Sequence, residues 1–132
     1  MKRIITYGTF DLIHPGHINI LKKAKELGDE LYVGLSMDKF CETKGKTPVL
    51  SYEQRKIVLE SIKYVDYVFP EKSLTEEKIK DGQEYDAYMF VWGSDWEGTF
   101  DFLKEHGFEV KYFPRTPDIS TSILKDRMKN DI

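Results

Sequence analysis

The sequence predicts a single α/β domain built on a Rossmann-like, five-stranded, mostly parallel sheet flanked by helices. Apolar runs of strand length alternate along the 132 residues with segments of helical periodicity, which is typical of parallel sheets. Hydrophobic residues make up 40% of the chain, enough for the core of one domain of this length. No internal repeat or low-complexity segment breaks the alternation. We therefore expect one domain over residues 1–132.

Five apolar runs have the length and composition of buried strands. Pro70 follows the third run and is expected to end it, and Gly93 follows the fourth. The predicted strands are Ile4–Tyr7, Leu31–Leu35, Tyr67–Phe69, Ala87–Trp92 and Val110–Phe113. In such a sheet, ligands bind at the carboxyl ends of the strands.

Helical patterns fill the intervals. The first helix is expected from about Gly16 to Leu27, with Ile18, Leu21 and Ala24 also spaced to face the sheet. A polar loop is expected over Lys39–Val49, and further helices over Thr75–Lys80, over Phe100–His106 and from Ser120.

The remaining helix is expected to open at Ser51, because Gln54 three residues later completes a capping box. Arg55 is expected on the exposed side of this helix. The residues expected to point inward are Ile57, Val58, Leu59 and Ile62.

Composition excludes several classes of protein. The 20 Lys and Arg residues are balanced by 23 Asp and Glu, which argues against binding duplex nucleic acid through its phosphates. The one cysteine, Cys41, excludes an intrachain disulfide and a Cys-based zinc site and indicates a reducing compartment. No apolar run reaches the roughly 18 residues of a membrane span, and the amino-terminal one is too short for a signal peptide. We expect a cytoplasmic protein with no membrane and no nucleic-acid partner.

The segment from Gly8 to His17 lies where the first strand passes into the first helix. His14 and His17, separated by Pro15 and Gly16, can point toward one anion, and the glycine lets the backbone approach a phosphate closely. The helix start adds free N–H groups and the positive end of the helix dipole. The segment therefore indicates phosphate binding, with imidazole donors that stabilise the charge developing during transfer.

Two other interpretations of these histidines remain open at this point. Each ring could be satisfied by a neighbouring carbonyl, or the pair could bind a metal with Asp11 or His106 as third ligand. Their position directly after the first strand, beside Gly8, favours phosphate binding.

The segment resembles the G-x-F-D-x-x-H-x-G-H signature of the nucleotidyltransferases that share an HxGH phosphate site. Its fixed positions are occupied here by Gly8, Phe10, Asp11, His14, Gly16 and His17.

A second candidate anion site lies near the carboxyl end. Ser120 and Thr121 offer hydroxyls and amides at a helix start and Arg115 adds a guanidinium, although an ordinary serine cap after a surface turn is the alternative. The segment resembles the R-T-x-G-I-S-T-[ST] signature of the cytidylyltransferases, with Pro117 and Asp118 departing from its usual acidic-Gly pair. The matching positions are Arg115, Thr116, Ile119, Ser120 and Thr121.

The resemblance continues between these ends. Gly93 to Gly98, followed by Phe100 to Leu103, resembles the G-D-D-W-E-G…F-D-F-L stretch of the bacterial glycerol-3-phosphate cytidylyltransferases, with Ser94 departing from it. Lys63 to Asp66 resembles their R-Y-V-D segment, with Lys for Arg. The similarity spans nearly the whole chain and is weakest from Lys72 to Asp86.

The resemblance implies roles for individual residues. It makes His14, His17, Lys46 and Arg115 catalytic. Nucleotide binding is implied for Thr9, Phe10, His14, Gly16, His17, Lys46, Asp95, Arg115, Thr116, Ile119, Ser120 and Thr121. Binding of the acceptor substrate is implied for Asp11, Lys44, Arg55 and Lys78. Taken alone, Lys44 and Lys46 would equally suit a solvated basic turn.

The reaction implied by the resemblance joins CTP to sn-glycerol 3-phosphate, a small phosphorylated alcohol, and gives CDP-glycerol and pyrophosphate. Its further implications are Mg²⁺ bound mainly through the nucleotide phosphates, a homodimer with Lys63 to Asp66 near the interface, and synthesis of teichoic acid or a related surface polymer. The attacking phosphate oxygen is already anionic, so alignment and charge stabilisation suffice and no general base is needed.

Three alternatives stay open. The acceptor could be phosphocholine or phosphoethanolamine, the nucleotide could be ATP, and the chain could be a sensor that binds CTP without turnover.

Overall fold

Five parallel strands form one sheet in the computed structural model, which describes residues 1–114. The strands are β1 (Arg3–Gly8), β2 (Glu30–Ser36), β3 (Tyr67–Glu71), β4 (Met89–Gly93) and β5 (Glu109–Phe113). Their order is β3-β2-β1-β4-β5, and every neighbouring pair is parallel. The predicted Rossmann-like α/β sheet is therefore confirmed. Because the strand order reverses at β1, the carboxyl end of β1 is where this fold class binds ligands.

Four α-helices and two 3-10 helices connect these strands. The α-helices are α1 (Pro15–Glu26), α2 (Asp38–Thr43), α3 (Tyr52–Glu60) and α4 (Lys78–Glu84), and the 3-10 helices span Ser94–Trp96 and Asp101–His106. Helices α1 and α3 cover one face of the sheet, where Leu21, Ala24 and Leu59 join one core cluster. Helix α4 and the second 3-10 helix cover the other face, where a mostly aromatic cluster includes Tyr7 and Trp92.

The predicted loop over Lys39–Val49 is wrong in its first part, because residues 38–43 form α2. This helix has fewer than two turns and no side-chain cap at Met37, so neither periodicity nor a capping motif marks it. It forms because Phe40 and Cys41 are both buried at the carboxyl end of β2.

The inward face of α3 also differs from the prediction. The capping box of Ser51 and Gln54 is present, but the Ile57 and Val58 side chains are 68% and 40% exposed. The helix buries Leu59 and, one turn earlier, Arg55, which is 0% exposed. The prediction that Arg55 lies on the exposed side is wrong, because its guanidinium finds enough hydrogen-bond acceptors to be buried.

Two element boundaries depart from the prediction for identifiable reasons. Pro70 does not end β3, since β3 is an edge strand and tolerates a residue without an N–H. Helix α4 begins at Lys78 rather than Thr75 and buries Lys78 and Gly82, two residue types that apolar periodicity does not count. A Cβ atom at position 82 would lie 2.5 Å from the Phe108 ring, so glycine is required there for close packing.

The predicted helix over Phe100–His106 is a 3-10 helix from Asp101. The helix predicted from Ser120 lies outside the described residues. No helix within residues 1–114 is long and apolar enough to cross a membrane.

Candidate functional site

A cavity of about 480 Å³ opens at the carboxyl end of β1. One wall is the histidine turn, by which we mean Gly8 to His17, and the other wall comes from residues 45–48. Thr9, Phe10 and His17 line the first wall, and Lys46 lines the second. The cavity lies where the strand order reverses, so it is the candidate ligand site of this fold.

His14 and His17 form the amino-terminal cap of α1. The His14 Nδ1 atom accepts a hydrogen bond from the Gly16 N–H at 3.0 Å, and the His17 Nδ1 atom accepts one from the His14 N–H at 3.2 Å. Pro15 occupies the first helical position, where no N–H is needed. Because both Nδ1 atoms are acceptors, each neutral ring carries its proton on Nε2 and offers that N–H to a ligand.

Burial keeps both imidazoles neutral. It lowers the pKa of His17 to about 4, with a smaller lowering contribution from His14 and an opposing one from Asp11. Burial also lowers the pKa of His14. The two ring centroids lie 4.0 Å apart, so two neutral donors act side by side without mutual charge repulsion. They are suited to hydrogen-bond phosphate oxygens rather than to donate protons.

The backbone of the histidine turn is held in an uncommon conformation. Phe10 and Leu12 have φ values of 48° and 50°, in the left-handed region that residues other than glycine rarely adopt. The Phe10 ring is buried against Gly8, where a Cβ atom would lie 2.8 Å from it, and its centroid is 5.5 Å from that of His17. Packing of this ring therefore compensates the strain and fixes the turn.

Asp11 connects the histidine turn to the segment that follows Lys46. Its Oδ2 atom accepts a hydrogen bond from the Val49 N–H at 2.6 Å, and its Oδ1 atom accepts one from the Leu50 N–H at 3.1 Å. The carboxylate is 3% exposed. It thereby fixes the distance between the two walls of the cavity, whereas the predicted role of Asp11 in acceptor binding stays a prediction.

Arg55 joins the ends of β1 and β2 to the start of α3. Its guanidinium donates to the carbonyls of Thr9, Ser36 and Leu50 at 2.8, 2.8 and 3.1 Å. It also forms an ion pair of 2.6 Å with Asp38. The side chain is thus directed into the protein, and its predicted contact with the acceptor stays a prediction.

The two predicted loop lysines occupy different environments. Lys46 is exposed and lines the cavity. Lys44 ends α2 and is half-buried, with its Nζ atom 3.3 Å from the Ser36 hydroxyl and 4.4 Å from the Phe40 ring centroid. Burial lowers the pKa of Lys44, and the charge of Glu71 opposes this effect.

Sequence reasoning missed Ser36 and Glu71, which together with Lys78 form what we call the Glu71 cluster. Glu71 accepts from the Ser36 hydroxyl and from Lys78, each at 2.6 Å. Lys78 is 1% exposed, so its ammonium faces this carboxylate instead of the surface. Ser36 and Glu71 are register partners at the ends of β2 and β3, and this adjacency is the signal that could have found them.

Of the remaining predicted site residues, some lie within residues 1–114 and the others lie outside them. Asp95 lies in the 3-10 helix after β4, exposed, at the same edge of the sheet as the histidine turn. Arg115, Thr116, Ile119, Ser120 and Thr121 lie outside the described residues. Within residues 1–114, no group of three His, Cys, Asp or Glu side chains is placed to hold a metal ion.

Comparison with known proteins gives consistent results. Residues 5–127 match the family model described as cytidylyltransferase-like. The chain is 52% identical to a glycerol-3-phosphate cytidylyltransferase of Staphylococcus aureus, over 97% of this chain and 96% of the relative. It is 55% identical to one of Bacillus spizizenii, over 97% and 98%. Among solved structures, it resembles a lipopolysaccharide core biosynthesis protein of Thermoplasma volcanium, with a TM-score of 0.68 and 28% identity over 88% of this chain and 97% of that one.

Proposed function

The chain belongs to the cytidylyltransferase-like family, and from this membership we propose that it transfers the cytidylyl group of CTP to sn-glycerol 3-phosphate. The structural observation that carries the reaction class is the pair of neutral histidines capping α1, of which His17 lines the cavity. The acceptor is supported by the identity of 52% and 55% to glycerol-3-phosphate cytidylyltransferases over nearly the whole chain. CDP-glycerol would serve the synthesis of teichoic acid or a related surface polymer.

In the proposed reaction, a phosphate oxygen of glycerol 3-phosphate attacks the α-phosphorus of CTP. The new phosphorus–oxygen bond forms as the bond to the β-phosphate bridging oxygen breaks, and pyrophosphate leaves. No proton has to be removed from the nucleophile, so the protein contributes alignment and charge stabilisation. Neutral Nε2–H donors from His14 and His17 stabilise the oxygens that gain charge, and Lys46 holds the triphosphate from the opposite wall.

We propose that Mg²⁺ enters with the nucleotide. Mg²⁺ prefers oxygen ligands and keeps several waters, so the triphosphate would supply most of its coordination. When bound, the ion would neutralise part of the triphosphate charge.

Lys44 would hold the phosphate of the acceptor.

We also propose a homodimer. Ile57 and Val58 on α3 and Tyr67 on the adjoining β3 are exposed, and such apolar side chains suit an interface between copies. Light scattering at micromolar concentration is expected to give twice the mass of the 132-residue chain. A monomeric mass over that range would contradict the dimer and leave the proposed reaction unaffected.

The reaction is tested by measuring pyrophosphate release from CTP and Mg²⁺ with and without glycerol 3-phosphate. ATP and phosphocholine are run in parallel. Release that requires both CTP and glycerol 3-phosphate is expected. Release only with phosphocholine, or only with ATP, would replace the corresponding substrate. Binding of CTP without release for any pair would identify a sensor and overturn the proposal.

A further inference from the structure

The Glu71 cluster extends from the sheet toward Lys44 through a defined series of contacts. The Glu71 Oε1 atom is 2.6 Å from the Ser36 Oγ atom, and that Oγ atom is 3.3 Å from the Lys44 Nζ atom. Ser36 is 0% exposed and Glu71 is 5% exposed, so both side chains are shielded from bulk solvent.

The direction of these hydrogen bonds follows from the groups involved. An ammonium can only donate, so Ser36 must accept from Lys44. The single proton of the Ser36 hydroxyl is then given to the carboxylate of Glu71. The 2.6 Å length is that of a charge-assisted hydrogen bond. Glu71 therefore orients the hydroxyl so that its lone pairs face Lys44.

The Lys78 ammonium interacts with groups inside the protein. Its Nζ atom donates to Glu71 at 2.6 Å and to the Ser73 carbonyl at 2.9 Å, and it lies 3.8 Å from the Tyr7 ring centroid. The Tyr7 hydroxyl in turn donates to Asp81 on α4 at 2.8 Å. These contacts fix Lys78 beneath the ring, with its charge balanced by Glu71.

The pairing of Glu71 with Lys78 determines which group the Lys44 ammonium contacts. The negative charge of Glu71 is already paired with Lys78, so Lys44 contacts a neutral hydroxyl and not a carboxylate. Its own positive charge remains available to an anion. Burial lowers the pKa of Lys44, and among its charged neighbours Glu71 opposes this lowering whereas Lys46 and Lys78 add to it.

We propose that Ser36 and Glu71 are positioning residues for acceptor binding, and that they hold the Lys44 ammonium where it receives the acceptor phosphate. Lys78 balances the charge of Glu71. This inference rests on the proposed function, in which Lys44 binds the acceptor.

The test removes the Ser36 hydroxyl and leaves the buried Glu71–Lys78 ion pair intact. Ser36→Ala is expected to raise the KM for glycerol 3-phosphate about tenfold, the factor that corresponds to one lost hydrogen bond of ordinary strength. The KM for CTP is expected to stay within about twofold of its original value, because Lys46 and the histidine turn are unchanged. Ser73→Ala is the matched control, since the Ser73 hydroxyl lies outside this series of contacts, and it is expected to change neither constant.

A double-mutant cycle distinguishes positioning from a general structural effect. If Ser36 acts through Lys44, Ser36→Ala has no further effect on the acceptor KM in a Lys44→Ala background. Should Ser36→Ala fold poorly, Ser36→Cys preserves the volume and weakens the hydrogen bonds, and the same selective rise is expected.

Two results would overturn the inference: additive effects of the two substitutions, or an unchanged acceptor KM in Ser36→Ala. Failure of the proposed function is recognised separately, because the unmodified chain would then release no pyrophosphate. If its acceptor is a different phosphorylated compound, the same cycle is measured with that compound.

Discussion

The histidine turn and the Glu71 cluster lie at the same edge of the sheet and hold polar side chains in opposite ways. In the turn, neutral rings are fixed by backbone N–H groups at a helix start. In the cluster, a carboxylate and an ammonium are buried and fixed by each other. The difference predicts separate consequences for mutation. Loss of an imidazole removes a donor to substrate, whereas loss of either partner of the Glu71–Lys78 ion pair leaves an uncompensated buried charge.

The largest expected effect is that of Lys78→Met. It leaves Glu71 charged and 5% exposed, which is expected to lower the free energy of unfolding by about 3–5 kcal/mol in urea titrations. Lys80→Met, two residues along at an exposed position, is the control and is expected to have little effect. Adding Glu71→Gln to Lys78→Met is expected to restore most of the loss. Equal stability of the Lys78→Met and Lys80→Met proteins would contradict the role of the ion pair.

The next effect concerns turnover. His17→Gln keeps a side-chain acceptor for the His14 N–H but removes the imidazole donor, so kcat is expected to fall by about 10²–10³-fold. The free energy of unfolding is expected to change by less than about 1 kcal/mol. His17→Ala is expected to fold as well and to lose the same turnover together with the cap. His106→Gln, at an exposed position, serves as control, and normal turnover in His17→Gln would refute the assignment.

The smallest effect is a pH dependence of stability. The pKa of His17 is about 4 in the folded protein, below the ordinary value of 6.5, so the unfolded chain binds more protons between these values. Stability contributed by His17 is complete above about pH 6.5 and is lost as pH falls toward 4, by roughly 3–4 kcal/mol at most. The difference between unfolding free energies of the unmodified protein and His17→Gln, measured across this range, isolates the contribution. A difference that does not change with pH would contradict it.

Local signals were sufficient for much of the fold. All five strands were predicted from short apolar runs, and the α3 capping box was predicted from Ser51 and Gln54 alone. The inward face of α3 was predicted incorrectly, because hydrophobic periodicity does not count an arginine as a buried residue. Arg55 is nevertheless buried, with four hydrogen-bonding partners. A buried charge depends on acceptors that come from other segments, and those cannot be read from its own helix.

The candidate site likewise has a part that could be predicted from sequence and a part that could not. The histidine turn is contiguous in sequence, so its composition alone indicated phosphate chemistry. Ser36 and Glu71 are 35 residues apart and meet only through the register of β2 and β3. Acceptor binding by Lys78 was implied by the resemblance and stays a prediction, whereas its burial could not be predicted from sequence because it depends on the distant Glu71.

Pro70 affects whether another strand can pair with the free edge of β3. The Glu71 carbonyl bonds the Met37 N–H on the β2 side, so the alternating backbone directs Pro70 outward, to the unpaired side. An incoming strand from another molecule would meet a position with no amide to donate. The edge nearest the Glu71 cluster is thereby protected against intermolecular β-pairing, and copies that associate here would have to do so through side chains rather than by extending the sheet.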